Sequence, residues 1–209
     1  MSLVDTHAHL DQEEFDADRE AVIVKAQEAG VEAIVAIGTT AASSEVVVEL
    51  ARRHPGVFAA VGIQPNYAAQ AVRGDWERVV ALVDQPRVVA LGETGLDRHW
   101  DYSPFDVQKD YFDRHIQLSQ ERSLPLIVHM RDCEEDILRM FRAARARGPL
   151  DGVMHSYTGT AAGAAECVEL GLHISLAGMV TYKNASALRE VAATIPADRI
   201  LIETDAPYL

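Results

Sequence analysis

Six side chains with the chemistry of metal ligands stand at comparable places along this 209-residue chain. His7 and His9 lie two residues apart at the end of a short apolar run, a spacing that turns both side chains to one face of an extended strand. Glu93 closes the run Val88-Val89-Ala90-Leu91-Gly92, His129 closes Leu126-Ile127-Val128, and His155 closes Val153-Met154. Asp205 follows Ile200-Leu201-Ile202-Glu203-Thr204. Taken singly, each has an ordinary structural use: a histidine hydrogen-bonded in a core, an aspartate capping a turn, a glutamate paired with a base. Their shared position at the carboxyl ends of five strands points instead to a metal centre. Four imidazoles with two carboxylates suit zinc, manganese, cobalt or nickel, whereas magnesium favours more oxygen donors. Six donors exceed the needs of one tetrahedral ion and match two divalent ions sharing a bridging carboxylate, an arrangement that activates water for hydrolysis.

The elements that must position these donors alternate. Runs rich in Val, Ile, Leu and Ala predict strands near 3–8, 32–38, 56–62, 87–93, 124–129, 151–155, 172–177 and 199–203. Helical patterning occupies 13–29, 41–54, 74–84, 105–122, 133–147, 160–170 and 184–194, closed in places by turn signals such as His54-Pro55-Gly56 and Leu170-Gly171. Apolar strands alternating with helices are parallel strands buried on both faces. Eight of them favour an α/β, TIM-type (β/α)8 barrel, built here as one domain over 1–209, and such barrels place catalysis at the strand carboxyl ends. No GxGxxG follows the first strand and no P-loop occurs, which weakens an open nucleotide-binding sheet. The eighth strand falls so close to Leu209 that a barrel lacking its last C-terminal helix is expected. Its uncovered flank, beside strands one and eight, would be a place for a second copy to form a homo-oligomer.

Composition bounds the partners. With 48% hydrophobic and 24% charged residues the chain is an ordinary globular one, and no apolar run reaches the roughly 18 residues a membrane span needs. A cytoplasmic protein without a membrane partner is expected. Cys133 and Cys167 form no CxxC pair and are read as reduced structural thiols. The net charge of −13 excludes a broad basic surface for wrapping duplex DNA, so metal ions must supply much of any attraction to a nucleic acid.

Five segments in order carry a family resemblance: Val4-Asp5-Thr6-His7-Ala8-His9-Leu10, Gly92-Glu93-Thr94-Gly95-Leu96-Asp97, Leu124-Pro125-Leu126-Ile127-Val128-His129-Met130-Arg131, Met154-His155-Ser156-Tyr157-Thr158-Gly159 and Ile202-Glu203-Thr204-Asp205-Ala206-Pro207-Tyr208-Leu209. Along essentially its whole length the chain resembles the TatD family of deoxyribonucleases, within the amidohydrolase-like metal-dependent hydrolases. The resemblance implies divalent-metal-dependent phosphodiester hydrolysis, typically of DNA, single-stranded or at chain ends, with His7, His9, Glu93, His129, His155 and Asp205 as ligands. On that reading Glu93 bridges two ions, with His7, His9 and Asp205 on one and His129 and His155 on the other, and Asp205 is the general base. Arg131 is the candidate clamp for a phosphoryl oxygen. His99, in the loop with Trp100 and Tyr102, is a candidate substrate contact, and either aromatic offers a base a face on which to stack. The chain departs from the family at Gly62-Ile63-Gln64-Pro65, where a Gly-x-His-Pro pattern is usual; Gln64 still donates a hydrogen bond to a phosphate but carries no charge. The same cage serves amides, lactones and phosphoesters, so a small-molecule hydrolase or an inactive binding homologue stays open as an alternative.

Overall fold

The computed structural model describes residues 3–209. Strand and helix alternate throughout: β1 (Leu3–Ala8), α1 (Arg19–Glu28), β2 (Val31–Ile37), α2 (Ala41–Arg53), β3 (Val57–Val61), α3 (Asp75–Leu82), β4 (Val88–Asp97), α4 (Phe105–Arg122), β5 (Leu126–Arg131), α5 (Glu134–Arg145), β6 (Gly152–Met154), α6 (Ala161–Leu170), β7 (Leu172–Leu176), α7 (Ser186–Ala192) and β8 (Ile200–Ile202). All neighbouring strands are parallel and follow sequence order from β1 to β8. Local chemistry sets several of the helix ends. Thr40 Oγ1 accepts the Ser43 N–H to begin α2, Thr160 Oγ1 accepts the Gly163 N–H to begin α6, and Gly171, at φ 113°, ends α6.

The sheet curls into the nearly closed barrel expected from the sequence. Ala8 and Ala206 form a parallel bridge, the Asp205 N–H donates to the His7 carbonyl at 2.9 Å, and the His9 N–H donates to the Ala206 carbonyl at 2.8 Å. The Asp5 carboxylate adds bonds from the Thr204 N–H (3.0 Å) and hydroxyl (2.7 Å). Closure is thus made at the strand carboxyl ends, where His7, His9 and Asp205 stand. Val4 on β1 and Ile202 on β8 are exposed on the outside of this join.

Side chains alternate between two cores. Val61, Leu91, Leu126 and Val128 face outward and pack with Phe112 and Ile116 of α4 and Phe141 of α5. Ile37, Ala60, Ala90 and Ile127 form a separate small cluster from β2 to β5. Two elements differ from expectation. The helix expected over 13–29 is split into a 3-10 turn, Glu13–Phe15, and α1, because Asp18 leaves helical geometry at φ −146°. The Arg19 guanidinium donates to the carbonyls of Leu10 and Gln12, which fixes the turn. β4 runs on to Asp97 instead of stopping at Glu93, because its ladder with β5 continues to the pair Asp97 and Arg131.

His115 on α4 is fully buried, donates from Nδ1 to the Tyr111 carbonyl at 2.6 Å and accepts the Ile63 N–H at Nε2, 3.1 Å away. Burial lowers its pKa from 6.5 to about 4, and a proton on Nε2 would oppose the Ile63 N–H. The unfolded chain therefore takes up a proton here before the folded one does. Stability from this group is complete above pH 6.5 and falls, by up to about 3 kcal/mol, as pH drops towards 4. Denaturant midpoints at pH 7 and pH 5 should fall further apart in the wild type than in His115→Gln, whose amide does not titrate; equal losses would reject the assignment.

Candidate metal centre

The placement of Glu93 begins with a glycine. Leu91 pairs with Leu126 and Thr94 with Val128, so β4 spends three residues where β5 spends two. Regular alternation from Leu91, which faces the helices, would send Glu93 outward as well. The extra residue reverses the parity and turns Glu93 inward. Gly92 makes this possible at φ 145°, where a Cβ would come within 2.5 Å of the Ile127 carbonyl oxygen.

All six expected donors converge at the carboxyl end of the barrel. His7, His9, Glu93, His155 and Asp205 are buried, and His129 nearly so. His7 Nε2 and His9 Nε2 are 3.1 Å apart. Glu93 Oε2 lies 3.7 and 3.6 Å from them, and Asp205 Oδ1 3.6 and 3.5 Å. The other Glu93 oxygen, Oε1, is 3.1 Å from His129 Nδ1 and 3.3 Å from His155 Nε2. A tetrahedral ion with bonds of about 2.0–2.1 Å spaces its donors about 3.3–3.4 Å apart. The spacing fits, and Asp205 Oδ1 is a buried acceptor with no hydrogen-bond partner, as a ligand awaiting a cation would be.

Asp205 has φ 55°, a left-handed conformation that Asp tolerates better than most residues. Burial drives the His7 pKa well below its ordinary value, which keeps that imidazole neutral. Burial alone would raise Glu93, but the charge of His155 and hydrogen bonds from His129 and His155 outweigh it and hold the carboxyl well below the usual range.

Two further carboxylates complete the centre, and the strand-end pattern did not single them out. Asp97 Oδ2 is 2.8 Å from His129 Nε2, and Glu203 Oε1 lies 3.4 Å from His155 Nδ1 while accepting the Ser156 N–H at 2.6 Å. Each therefore sits on the ring nitrogen turned away from Glu93, the arrangement that orients a metal-binding imidazole. Burial would raise the Asp97 pKa, but the bonds from His129 and the Trp100 N–H hold it at about 2. Asp97→Asn keeps the shape and loses the charge. It is expected to weaken divalent-metal affinity by about 10- to 100-fold, read by cobalt titration of metal-free protein; unchanged affinity would remove this role from Asp97.

The donors open into a cleft of about 920 Å³. Gln64 and Arg131, the candidate substrate contacts, are among the residues that line it. Gln64 Oε1 accepts the Asn66 N–H at 2.8 Å, which leaves its Nε2 donors for the cleft. Arg131 is exposed at the end of β5 and is the single lysine or arginine in the lining. His99 is not brought to the cleft wall: it packs edge-on against Trp100 and lies 3.4 Å from Asp132. Trp100, Tyr102, Tyr67 and Tyr208 do line it.

The profile of the TatD-related DNase family matches residues 4–209. The chain belongs to this family. Among its relatives are the metal-dependent hydrolase YabD of Bacillus subtilis, 41% identical over 99% of this chain and 81% of the relative. The 3'-5' ssDNA/RNA exonuclease TatD of Salmonella typhimurium is 34% identical over 99% of this chain and 80% of its own. The crystal structure of YjjV, a TatD homologue from Escherichia coli K12, superposes with a TM-score of 0.91 at 32% identity, covering 98% of this chain and 79% of that one. This TatD-family chain is accordingly a metal-dependent hydrolase, and its (β/α)8 architecture is the family's. No helix among the described residues is long and apolar enough to cross a membrane.

Proposed function

We propose that the chain hydrolyses phosphodiester bonds in single-stranded DNA or at DNA ends, with two divalent metal ions held around Glu93. The observation that carries this reading is the Glu93 carboxylate, whose Oε2 faces His7 and His9 while its Oε1 faces His129 and His155. The Salmonella relative, named for exonuclease action on single-stranded DNA and RNA, supports the substrate class. When bound, the ions supply a more acidic water and neutralise charge on phosphoryl oxygens. Asp205 turns Oδ1 to the His7 and His9 imidazoles, where it would hold the cation, and the other oxygen of its carboxylate accepts the proton of the attacking water. Arg131 pairs its forked donors with a phosphoryl oxygen, and Gln64 adds a neutral donor where a histidine is usual in the family.

The test is nucleotide release from single-stranded DNA by protein stripped of metal and then given magnesium, manganese, cobalt or zinc. Cleavage is expected only after metal is restored. A protein that binds metal firmly yet cleaves no phosphodiester would overturn the proposal and favour a small-molecule ester or amide as substrate.

A further inference from the structure

The cleft over the metal-ligand cluster is lined by aromatic side chains as well as by polar groups. Among the described residues five aromatic side chains are well exposed, and four of them, Tyr67, Trp100, Tyr102 and Tyr208, line this cleft. Scattered exposed apolar groups need no explanation, but such a concentration around one cavity marks a binding surface. Trp100 and Tyr102 are 44% and 58% exposed and stack on one another, with ring centroids 5.4 Å apart and planes within 13°. They are therefore not packed beneath their loop, and the ring surface left open beside their mutual stack and the edge of His99 is available at little cost in side-chain entropy.

The loop carrying this pair is tied to the metal centre. Asp97 Oδ1 accepts the N–H groups of His99 (2.8 Å) and Trp100 (3.0 Å), while Oδ2 of the same carboxylate meets His129 Nε2 (2.8 Å). One buried side chain thus sets the position of the aromatic pair relative to a ligand imidazole. The charge of the cleft says what the pair is for. Arg131 is its single lysine or arginine, against the carboxylates of Glu93, Asp97, Asp132 and Asp205. Beyond the one phosphate that metal ions at Glu93 and Asp205 would hold, a lining of this kind gains little from pairing with further phosphates, so additional affinity for a nucleic acid comes from another part of the nucleotide. Stacking of a base on an aromatic side chain is that contribution, and a base inside a duplex has no free face to offer.

We infer that Trp100, backed by Tyr102, is a stacking subsite for one unpaired nucleobase beside the bond to be cleaved. The inference rests on the phosphodiesterase reading of this cleft. Stacking contributes about ten-fold or more to affinity per base. The test uses single-stranded oligothymidylates that carry or lack bases in their terminal nucleotides. Wild-type protein should show a KM about ten-fold lower for the based oligonucleotide than for the abasic one. In Trp100→Ala that ratio should collapse towards one, and in Trp100→Phe, which restores a flat ring, most of it should return.

A second readout does not require turnover. The chain has two tryptophans, so Trp76→Phe leaves Trp100 as the only one. In metal-loaded Trp76→Phe protein, hydrolysis-resistant phosphorothioate oligothymidylate should quench the fluorescence, and the abasic-ended oligomer should not. Equal quenching by both, or an unchanged KM ratio in Trp100→Ala, would overturn the subsite. Absence of any cleavage by the wild type would count against the phosphodiesterase reading alone, and the quenching result would still decide the subsite.

Discussion

Glu93→Gln is expected to abolish hydrolysis and to strip the protein of most of its metal affinity. The substitution preserves the volume of the side chain but removes the one anion whose two oxygens face both halves of the donor set, at 3.1 Å from His129 and 3.6 Å from His9. Loss of a carboxylate that merely orients a ligand already costs about 10- to 100-fold, so loss of the shared ligand should exceed about 100-fold in metal affinity and activity alike. The cleanest measurement is thermal. A cation present at about 1,000 times its Kd stabilises the folded state by about 4 kcal/mol, which in a chain of this size raises Tm by roughly 8–16 °C. Wild-type protein should show that rise on addition of manganese or zinc, and Glu93→Gln should show little of it. A full metal-induced rise in the variant would mean that Glu93 does not hold the ions.

The second large effect is at Asp205. Asparagine is the informative replacement because, like aspartate, it tolerates the left-handed backbone at φ 55°, whereas alanine adds a conformational penalty. Asp205→Asn keeps an oxygen that can face His7 and His9 but cannot accept a proton. Turnover should fall by about 10²- to 10⁴-fold, the usual contribution of a general base, with a smaller loss of metal affinity than in Glu93→Gln. The split between the two quantities is the diagnostic result. Asp205→Asn protein that remains metal-loaded yet inactive identifies a proton acceptor, whereas metal loss in proportion to activity makes Asp205 a ligand only.

The two variants probe different features of one construction. Glu93 reaches the centre because of a one-residue irregularity in β4, and Asp205 because the barrel closes through backbone bonds from His9 and Asp205 to the opposite chain segments. The same closure brings Thr204 onto Asp5, which lies two residues before His7. Activity and barrel closure are therefore coupled at this end of the molecule.

How much of this was legible beforehand follows from the physics of burial. Imidazoles and carboxylates at the ends of apolar runs stand out because burying such groups is costly unless something compensates. From that signal and the alternation of strands and helices, the chain alone pointed to the barrel and to six side chains that the fold brings together at its carboxyl end. The split of the helix expected over 13–29 was not legible, since it depends on the Arg19 guanidinium reaching the carbonyls of Leu10 and Gln12. Nor was the inward turn of Glu93. Period-two alternation would have pointed it away from the centre, and only the ladder between β4 and β5 shows where the extra residue falls. Asp97 and Glu203 were visible as residues of their motifs, but their partners His129 and Ser156 lie 32 and 47 positions away. That Trp100 and not His99 lines the cleft likewise belongs to the fold, because both sit on one loop anchored to Asp97 and neighbouring positions in the sequence do not tell their directions apart. Residue types and their periodicity thus determined the chemistry available to this protein. Tertiary structure alone decided which atoms meet, because contacts over such separations are set by strand register and loop anchoring, which local sequence does not encode.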